Sequence, residues 1–229
     1  MKRKCLTIGH RGAKGHLAEN TLESIQKALD FNVDGVEIDV HLCASGELVV
    51  FHDVTLDRIT NGIGEISKKT FDDLTQLTIN NKFKIPTLEE VLNLIDKKCL
   101  LNIELKGKNT AIKTCEMVQY YIKNKGWNYN GFIVSSFQNH ELETMFTLDK
   151  NIPLAVLAKA NIDNAIEFAK AINALAIHPN STIVTKANIK KAQDLGYKIN
   201  VWTVNNAEIM KRMKTYNVDA IISDYPDRI

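Results

Sequence analysis

The chain has few of the features that mark secreted, membrane-spanning or disulfide-bonded proteins. It has four cysteines among 229 residues, and they form neither a CxxC pair nor a cysteine–histidine spacing typical of zinc sites. No apolar run approaches the roughly 20 residues that cross a bilayer. The basic start, MKRK, is followed only by CLTIG before His10, which is too short for the apolar region of a signal peptide. We therefore expect reduced cysteines, no stable membrane association and a location in the cytoplasm.

An excess of charge of one sign is also lacking. Lys and Arg total 29 and Asp and Glu total 27, so the net charge is +2, and no Lys/Arg cluster of the nucleic-acid-binding kind is present. This balance does not predict binding to nucleic acid or to an anionic membrane surface. Hydrophobic residues make up 45% of the chain, which is ordinary for a globular protein that buries a full core.

Short β-branched runs alternate with longer segments of helical periodicity along the chain. The strand candidates are 5–9, 35–42, 99–106, 132–136, 153–158, 174–178, 198–204 and 220–224. Repeated strand–helix units predict a parallel sheet, and about eight of them in a chain of this length predict an α/β fold of the TIM (β/α)₈ barrel type. An open doubly wound sheet is the alternative, although no GxGxxG follows the first strand. Thr87, with Glu90 three residues later, predicts a capping box at a helix start.

One segment interrupts this rhythm. Residues 53–84 are polar and turn-rich, with Gly62 and Gly64 close together. We interpret them as an insertion at the mouth of the barrel after the second strand, within a single domain that spans residues 1–229. The insertion carries Lys68, Lys69, Asp72 and Asp73.

Two strand candidates carry carboxylates on one face. Side chains alternate along a strand, so in VEIDV Glu37 and Asp39 lie opposite the apolar residues, and in NIELK Glu104 shares a face with Lys106. In a barrel the polar face points inward, and near the carboxyl ends of the strands it reaches the active-site mouth. Three converging carboxylates need a counter-ion, and a hard divalent cation, Mg²⁺ or Ca²⁺, is the natural one.

Cationic side chains follow the ends of other strands. The first strand continues into GHRG, which places His10 and Arg11 at the mouth, and VVFHD places His52 and Asp53 just beyond the second strand. Imidazole exchanges protons near neutral pH, Arg and Lys hold phosphate oxygens, and a metal neutralises charge in a transition state. This set indicates phosphoryl chemistry.

The ordered motifs GHRG, ENT nine residues later, VEIDV, FHD, NIELK, VWTVN and SDYP resemble those of the glycerophosphodiester phosphodiesterase family over nearly the whole chain. The resemblance implies a TIM barrel related to phosphatidylinositol-specific phospholipases C. It also implies metal-dependent hydrolysis of small glycerophosphodiesters, such as glycerophosphocholine and glycerophosphoethanolamine, to an alcohol and glycerol 3-phosphate. One departure is the turn CASG after the second strand, where many members have Thr-x-Asp-Gly.

The family motifs imply roles for individual residues. His10 and His52 resemble the acid–base pair, with His52 preferred as the acid, and Arg11 and Lys106 resemble the phosphate-binding residues. The implied metal ligands are Glu37, Asp39 and Glu104. Trp202 lies in phase with Asn200 and Val204 and matches VWTVN, which predicts a wall of the substrate pocket.

Other polar residues have less specific assignments. Glu19 and Asn20 either cap the first helix or orient site groups, His41 is expected at the rim, and Asp224 is expected to support the site or close the barrel. His16, His140 and His178 are expected to be structural or exposed. Two alternatives are open, a lysophospholipase D-type cleavage and a barrel that binds phosphoesters without turnover; the polar insertion favours a soluble substrate. The motifs do not decide the metal, the head group, the nucleophile or the oligomeric state.

Overall fold

Nine strands form one sheet in the computed structural model of the protein, which describes residues 5–229. The strands are β1 (Leu6–His10), β2 (Gly35–Leu42), β3 (Leu48–Val50), β4 (Leu100–Leu105), β5 (Phe132–Ser136), β6 (Leu154–Ala158), β7 (Ala176–Pro179), β8 (Lys198–Val201) and β9 (Ala220–Ser223). All except β3 pair in parallel with their neighbours, and β1 pairs with both β9 and β2. The eight parallel strands therefore close, and the predicted TIM barrel is confirmed.

A helix follows each barrel strand except the last. The helices are α1 (Leu22–Asp30), α2 (Phe71–Thr75), α3 (Leu88–Ile95), α4 (Ala111–Asn124), α5 (Asn139–Leu148), α6 (Ile162–Ala171), α7 (Lys186–Asp194) and α8 (Ala207–Thr215). Short 3₁₀ turns lie at Ile66–Lys68, Tyr129–Gly131 and Pro226–Arg228. The predicted capping box starts α3: the Thr87 hydroxyl accepts from the Glu90 N–H at 3.2 Å, and the Glu90 carboxylate accepts from the Thr87 N–H at 2.8 Å.

The core follows from the alternation of side chains along the strands. Val36, Ile38 and Val40 of β2 are fully buried against the helices. The inside of the barrel holds smaller apolar clusters, one of which contains Ile8 and Ile222. Glu37 and Asp39 point inward, as the sequence pattern predicted.

The route to His52 differs from the prediction. β3 pairs antiparallel with β2, with Leu48 opposite Leu42, so His52 follows this returning strand and not β2 itself. A three-residue strand is too short to show a period of two, which is why the pattern did not indicate it. Strand ends also shift by one to three residues. Val204 packs outside the barrel and not in phase with Trp202, because β8 stops at Val201.

The segment after β3 builds a second apolar cluster beside the barrel. Its buried members are Cys43, Val49, Phe51, Leu56, Ile66, Leu74, Ile79 and Ile85. The cluster joins the β2–β3 hairpin to the 53–84 segment, so that segment packs against the mouth of the barrel. The assignment of 53–84 as an insertion subdomain within one domain stays a prediction. The four cysteines are free.

Candidate active site

The turn after β1 places a backbone donor and a cation at the mouth. Arg11 and Gly12 have φ angles of 50° and 82°, so the chain reverses sharply after His10. A Cβ atom on Gly12 would lie 2.5 Å from the Ser24 backbone, which explains the glycine. The Arg11 N–H donates to Glu37 Oε2 at 2.9 Å, and Arg11 Nε lies 3.3 Å from Asp39 Oδ2.

Three carboxylates meet where β2 and β4 run side by side. Asp39 is in register with Glu104, and Glu37 with Asn102. One oxygen from each of Glu37, Asp39 and Glu104 lies within 4.8 Å of the other two. All three side chains are buried, so their negative charges face one another in a region of low solvent access.

The pKa values reflect this crowding. Burial and the charge of Asp39 raise the pKa of Glu104 to about 7, and burial with the neighbouring carboxylates raises the pKa of Glu37 well above its usual value. Burial opposes ionisation of Asp39, but Arg11 and Lys106 outweigh it and lower its pKa. Lys106 Nζ lies 2.7 Å from Glu104 Oε1 and 3.5 Å from Asp39 Oδ1. If all three carboxylates were ionised, the cluster would carry one more negative charge than Arg11 and Lys106 balance.

Each of the two histidines is backed by a carboxylate. His10 Nδ1 donates to Asp224 Oδ1 at 2.6 Å, and His52 Nδ1 donates to Asp53 Oδ1 at 2.6 Å. This leaves Nε2 of each ring as the nitrogen that can exchange a proton, and His10 Nε2 lies 4.0 Å from Glu37 Oε2. Burial lowers the pKa of both imidazoles, whereas the paired carboxylates act in the opposite direction.

All eight predicted site side chains gather around one opening of the barrel. Seven of them line a cavity of about 450 Å³, namely His10, Arg11, Glu37, His52, Glu104, Lys106 and Trp202. The eighth, Asp39, lies beneath them and forms ion pairs with Arg11 and Lys106. The Trp202 indole N–H donates to the His178 carbonyl at 2.7 Å, and its ring packs edge-on against Phe137 at 5.6 Å.

Several residues of the cavity were not found from sequence. Phe137, Lys159 and Asn180 line the wall near Trp202; each follows a barrel strand, and that position was the only signal available. Arg58, from the insertion, contacts Asp53 and Glu19, and nothing in its local sequence indicated this.

The residues with open assignments now have defined neighbours. Asn20 has a φ of 59°, and its Nδ2 donates to Asp39 Oδ2 at 2.9 Å. Glu19 accepts from Arg11 Nη1 at 2.7 Å. The N-cap residue of α1 is Thr21, and not Glu19 or Asn20. His41 donates from Nε2 to the His52 carbonyl at 3.2 Å, so it supports the segment that carries His52.

The remaining histidines lie outside the mouth. His140 is exposed on α5, and His16 bonds Asp227 at 2.7 Å. His178 is fully buried inside the barrel, where its Nε2 accepts from Asn200 Nδ2 at 2.9 Å. Burial lowers its pKa to about 3.

Comparisons with known proteins agree with this arrangement. The sequence profile described as "Glycerophosphoryl diester phosphodiesterase family" matches residues 10–228. The chain belongs to this family. A glycerophosphodiester phosphodiesterase of Caldanaerobacter subterraneus subsp. tengcongensis is 33% identical over 236 residues, covering 99% of this chain and 96% of that protein. Another, from Bacillus altitudinis, is 34% identical over 238 residues, covering 96% and 95%.

Solved structures have the same fold. A phosphodiesterase of Oleispira antarctica, determined in complex with the product sn-glycerol-3-phosphate, superimposes with a TM-score of 0.88 at 28% identity and covers 97% of this chain and 94% of that one. A glycerophosphodiester phosphodiesterase of Thermotoga maritima gives a TM-score of 0.81 at 26% identity, with 99% and 97% coverage.

These matches confirm the family resemblance and the predicted enzyme class, a glycerophosphodiester phosphodiesterase. They do not test the role of any single residue, so the assignments of the eight site residues stay predictions. Among residues 5–229, no helix combines the length and apolar character needed to cross a membrane.

Proposed function

We propose that this protein hydrolyses small glycerophosphodiesters to an alcohol and glycerol 3-phosphate, with one divalent cation and a pair of histidines. The observation that carries the proposal is the shared cavity: two histidines, each with Nδ1 held by a carboxylate, face the same opening as three clustered carboxylates and the cationic side chains of Arg11 and Lys106. Glycerophosphocholine and glycerophosphoethanolamine are the substrates expected first.

The carboxylate cluster suits Mg²⁺ or Ca²⁺. Its donors are oxygens only, which hard divalent cations prefer, and a cation would relieve the mutual repulsion that raises the pKa values of Glu37 and Glu104. Asn102 Oδ1 is buried beside them without a hydrogen-bond partner in the described structure. We propose Glu37, Asp39 and Glu104 as the ligands. The bound ion would supply charge neutralisation to the phosphate oxygens.

The protein's own side chains would bind the phosphate and transfer the protons. Arg11 and Lys106 bind the non-bridging phosphate oxygens by charge-assisted hydrogen bonds. We assign His52 as the acid that protonates the leaving alkoxide and His10 as the base that deprotonates the nucleophile. The nucleophile is either water or the adjacent glycerol hydroxyl. The second route forms a cyclic phosphate, which water then opens.

The test is release of glycerol 3-phosphate from glycerophosphocholine by the purified protein, with Mg²⁺, with Ca²⁺ and with a chelator. We expect metal-dependent release that the chelator abolishes. His10→Ala and His52→Ala should each reduce kcat by about 10²- to 10⁴-fold, whereas His140→Ala, on the exposed face of α5, should not. Chelator-insensitive turnover, or full turnover by His52→Ala, would contradict the proposal.

The lysophospholipase D-type alternative belongs in the same assay. The insertion exposes Lys68, Asp72 and Asp73, and Lys69 is half-buried. This polar surface favours a water-soluble substrate over a lipid that is presented at a membrane. Faster turnover of lysophosphatidylcholine than of glycerophosphocholine would favour the alternative. Binding of both without turnover of either would favour the phosphoester-binding barrel.

A further inference from the structure

Arg58 occupies an unusual position between two carboxylates of the site. Its Nε donates to Asp53 Oδ2 at 2.5 Å, and its Nη2 and Nη1 donate to Glu19 Oε1 and Oε2 at 2.6 and 3.3 Å. Asp53 holds His52 Nδ1, and Glu19 holds Arg11 Nη1 at 2.7 Å. One guanidinium from the insertion therefore touches the partners of two separate site residues.

The buried end of this network is Glu19. Its side chain is 6% exposed and is surrounded by Arg11, Arg58 and, at 3.6 Å, Lys14. Burial disfavours its ionised form, but hydrogen bonds and charge from these cations lower its pKa overall. Because Glu19 binds Arg11 on one side and Arg58 on the other, a loss of Arg58 would leave it unbalanced and free to pull Arg11 away from Asp39.

The outer end of the network is Asp53. Burial would raise the pKa of this carboxyl, but hydrogen bonds from Arg58 and then His52 hold it at about 2. The carboxylate thus has two donors that approach different oxygens, Oδ2 from Arg58 and Oδ1 from His52. Only a planar guanidinium presents several N–H groups in a fixed geometry; a lysine ammonium is a point charge.

The backbone that carries Arg58 is held within the insertion. Leu56 is fully buried in the insertion's apolar cluster, and its N–H donates to the Gly64 carbonyl at 2.9 Å. The Gly64 N–H in turn donates to Asp57 Oδ2 at 3.1 Å. Arg58 therefore projects from an ordered turn towards the mouth.

We propose that Arg58 is a positioning residue, which fixes His52 through Asp53 and Arg11 through Glu19, so that the insertion sets the geometry of both site residues. This inference rests on the proposed function and deepens it. It adds a residue that does not contact the substrate but orients two residues that do, His52 and Arg11. His52 would act in the chemical step, and Arg11 would act mainly in substrate binding.

The test compares Arg58→Ala and Arg58→Lys with Lys68→Ala. Lys68 also forms an ion pair within the insertion, with Glu65 at 2.9 Å, but it is far more exposed. We expect Arg58→Ala to lose about 10- to 100-fold in kcat/KM with glycerophosphocholine, the usual cost of losing a supporting contact, through a lower kcat and a higher KM. Arg58→Lys should recover only part of this, and Lys68→Ala should match the wild type.

Two readouts separate positioning from mere structural support. In a glycerol phosphodiester of 4-nitrophenol, the leaving group departs without being protonated, so His52 is not needed as the acid. The kcat of Arg58→Ala should therefore fall much less with this substrate than with the choline ester. Millimolar guanidinium should restore part of the kcat of Arg58→Ala, because the side chain it replaces is 47% exposed, and should leave the wild type and Lys68→Ala unchanged.

A double variant adds an independent check. If Arg58 acts on kcat through Asp53, Arg58→Ala should reduce kcat far less in an Asp53→Asn background than in the wild type. Equal kcat losses with both leaving groups, no response to guanidinium, or additive effects of the two substitutions on kcat would overturn the inference, as would wild-type kinetics in Arg58→Ala. In all of these cases the wild type still releases glycerol 3-phosphate. If it released none, the proposed function would fail and this inference with it.

Discussion

Two residues with left-handed backbone conformations, Arg11 and Asn20, orient polar groups of the site. Arg11 and Asn20 both have positive φ angles, 50° and 59°, which costs a non-glycine residue of order 1–3 kcal/mol, less for asparagine. In return, Arg11 presents its N–H to Glu37 and its guanidinium to Asp39, and Asn20 presents its amide to Asp39. The local strain is thus tied to contacts with the β2 carboxylates.

His178 gives a prediction for the dependence of stability on pH. Its Nδ1 has no hydrogen-bond partner in the described structure, and burial lowers its pKa to about 3, below the value near 6.5 of an unfolded chain. Between these values the unfolded state binds one more proton than the folded state, so the free energy of unfolding falls as pH falls. The slope from this residue is about 1.4 kcal/mol per pH unit.

The measurement is urea unfolding of the wild type and of His178→Gln from pH 7 to pH 4. As the pH falls, we expect the free energy of unfolding to decrease less steeply for His178→Gln than for the wild type. The two slopes should differ by up to about 1.4 kcal/mol per pH unit. His140→Gln removes an exposed histidine and serves as the control. Parallel curves for the wild type and His178→Gln would contradict the assignment.

At the scale of elements, long alternating strands were predictable and short or irregular segments were not. VEIDV and NIELK show a clear period of two, so the face of Glu37, Asp39 and Glu104 could be read from the sequence. β3 has three residues, and its antiparallel return shows no such period. The contacts of Glu19 and Arg58 join positions 39 residues apart, through turns whose path depends on packing and not on local pattern.

The capping box of α3 gives a prediction at this scale. Replacing Thr87 by Ala removes the hydroxyl that accepts from the Glu90 N–H, so the free energy of unfolding should fall by about 1 kcal/mol. Urea unfolding measures it. Thr87→Ser keeps the hydroxyl and should stay close to the wild type; an equal loss in both variants would show that the methyl group, and not the cap, is responsible.

At the scale of the whole molecule, the carboxylate cluster couples ion binding to folding. Glu37 and Asp39 come from β2 and Glu104 from β4, so their repulsion acts across the strand pair with the most extensive register in the barrel wall. An ion that binds only the folded state raises the free energy of unfolding of the whole barrel.

Thermal unfolding tests this coupling. Mg²⁺ or Ca²⁺ at 100 times its Kd should add about 2.7 kcal/mol to the free energy of unfolding, and a chelator should remove this gain. Glu104→Gln should lose most of the metal-dependent gain, whereas Glu116→Gln, at an exposed position on α4, should retain it. Identical unfolding with metal and with chelator at neutral pH would argue against the site.

The bond between His10 and Asp224 spans 214 positions of the chain. During synthesis at about 5–20 residues per second, Asp224 is added roughly 10 to 40 s after His10. From the addition of Glu104 until that of Asp224, a nascent chain carries both histidines and all three carboxylates. It still lacks the group that orients the first imidazole and the strand, β9, that pairs with β1. A polypeptide stalled or cleaved before position 220 should therefore be inert, because it has neither Asp224 nor β9.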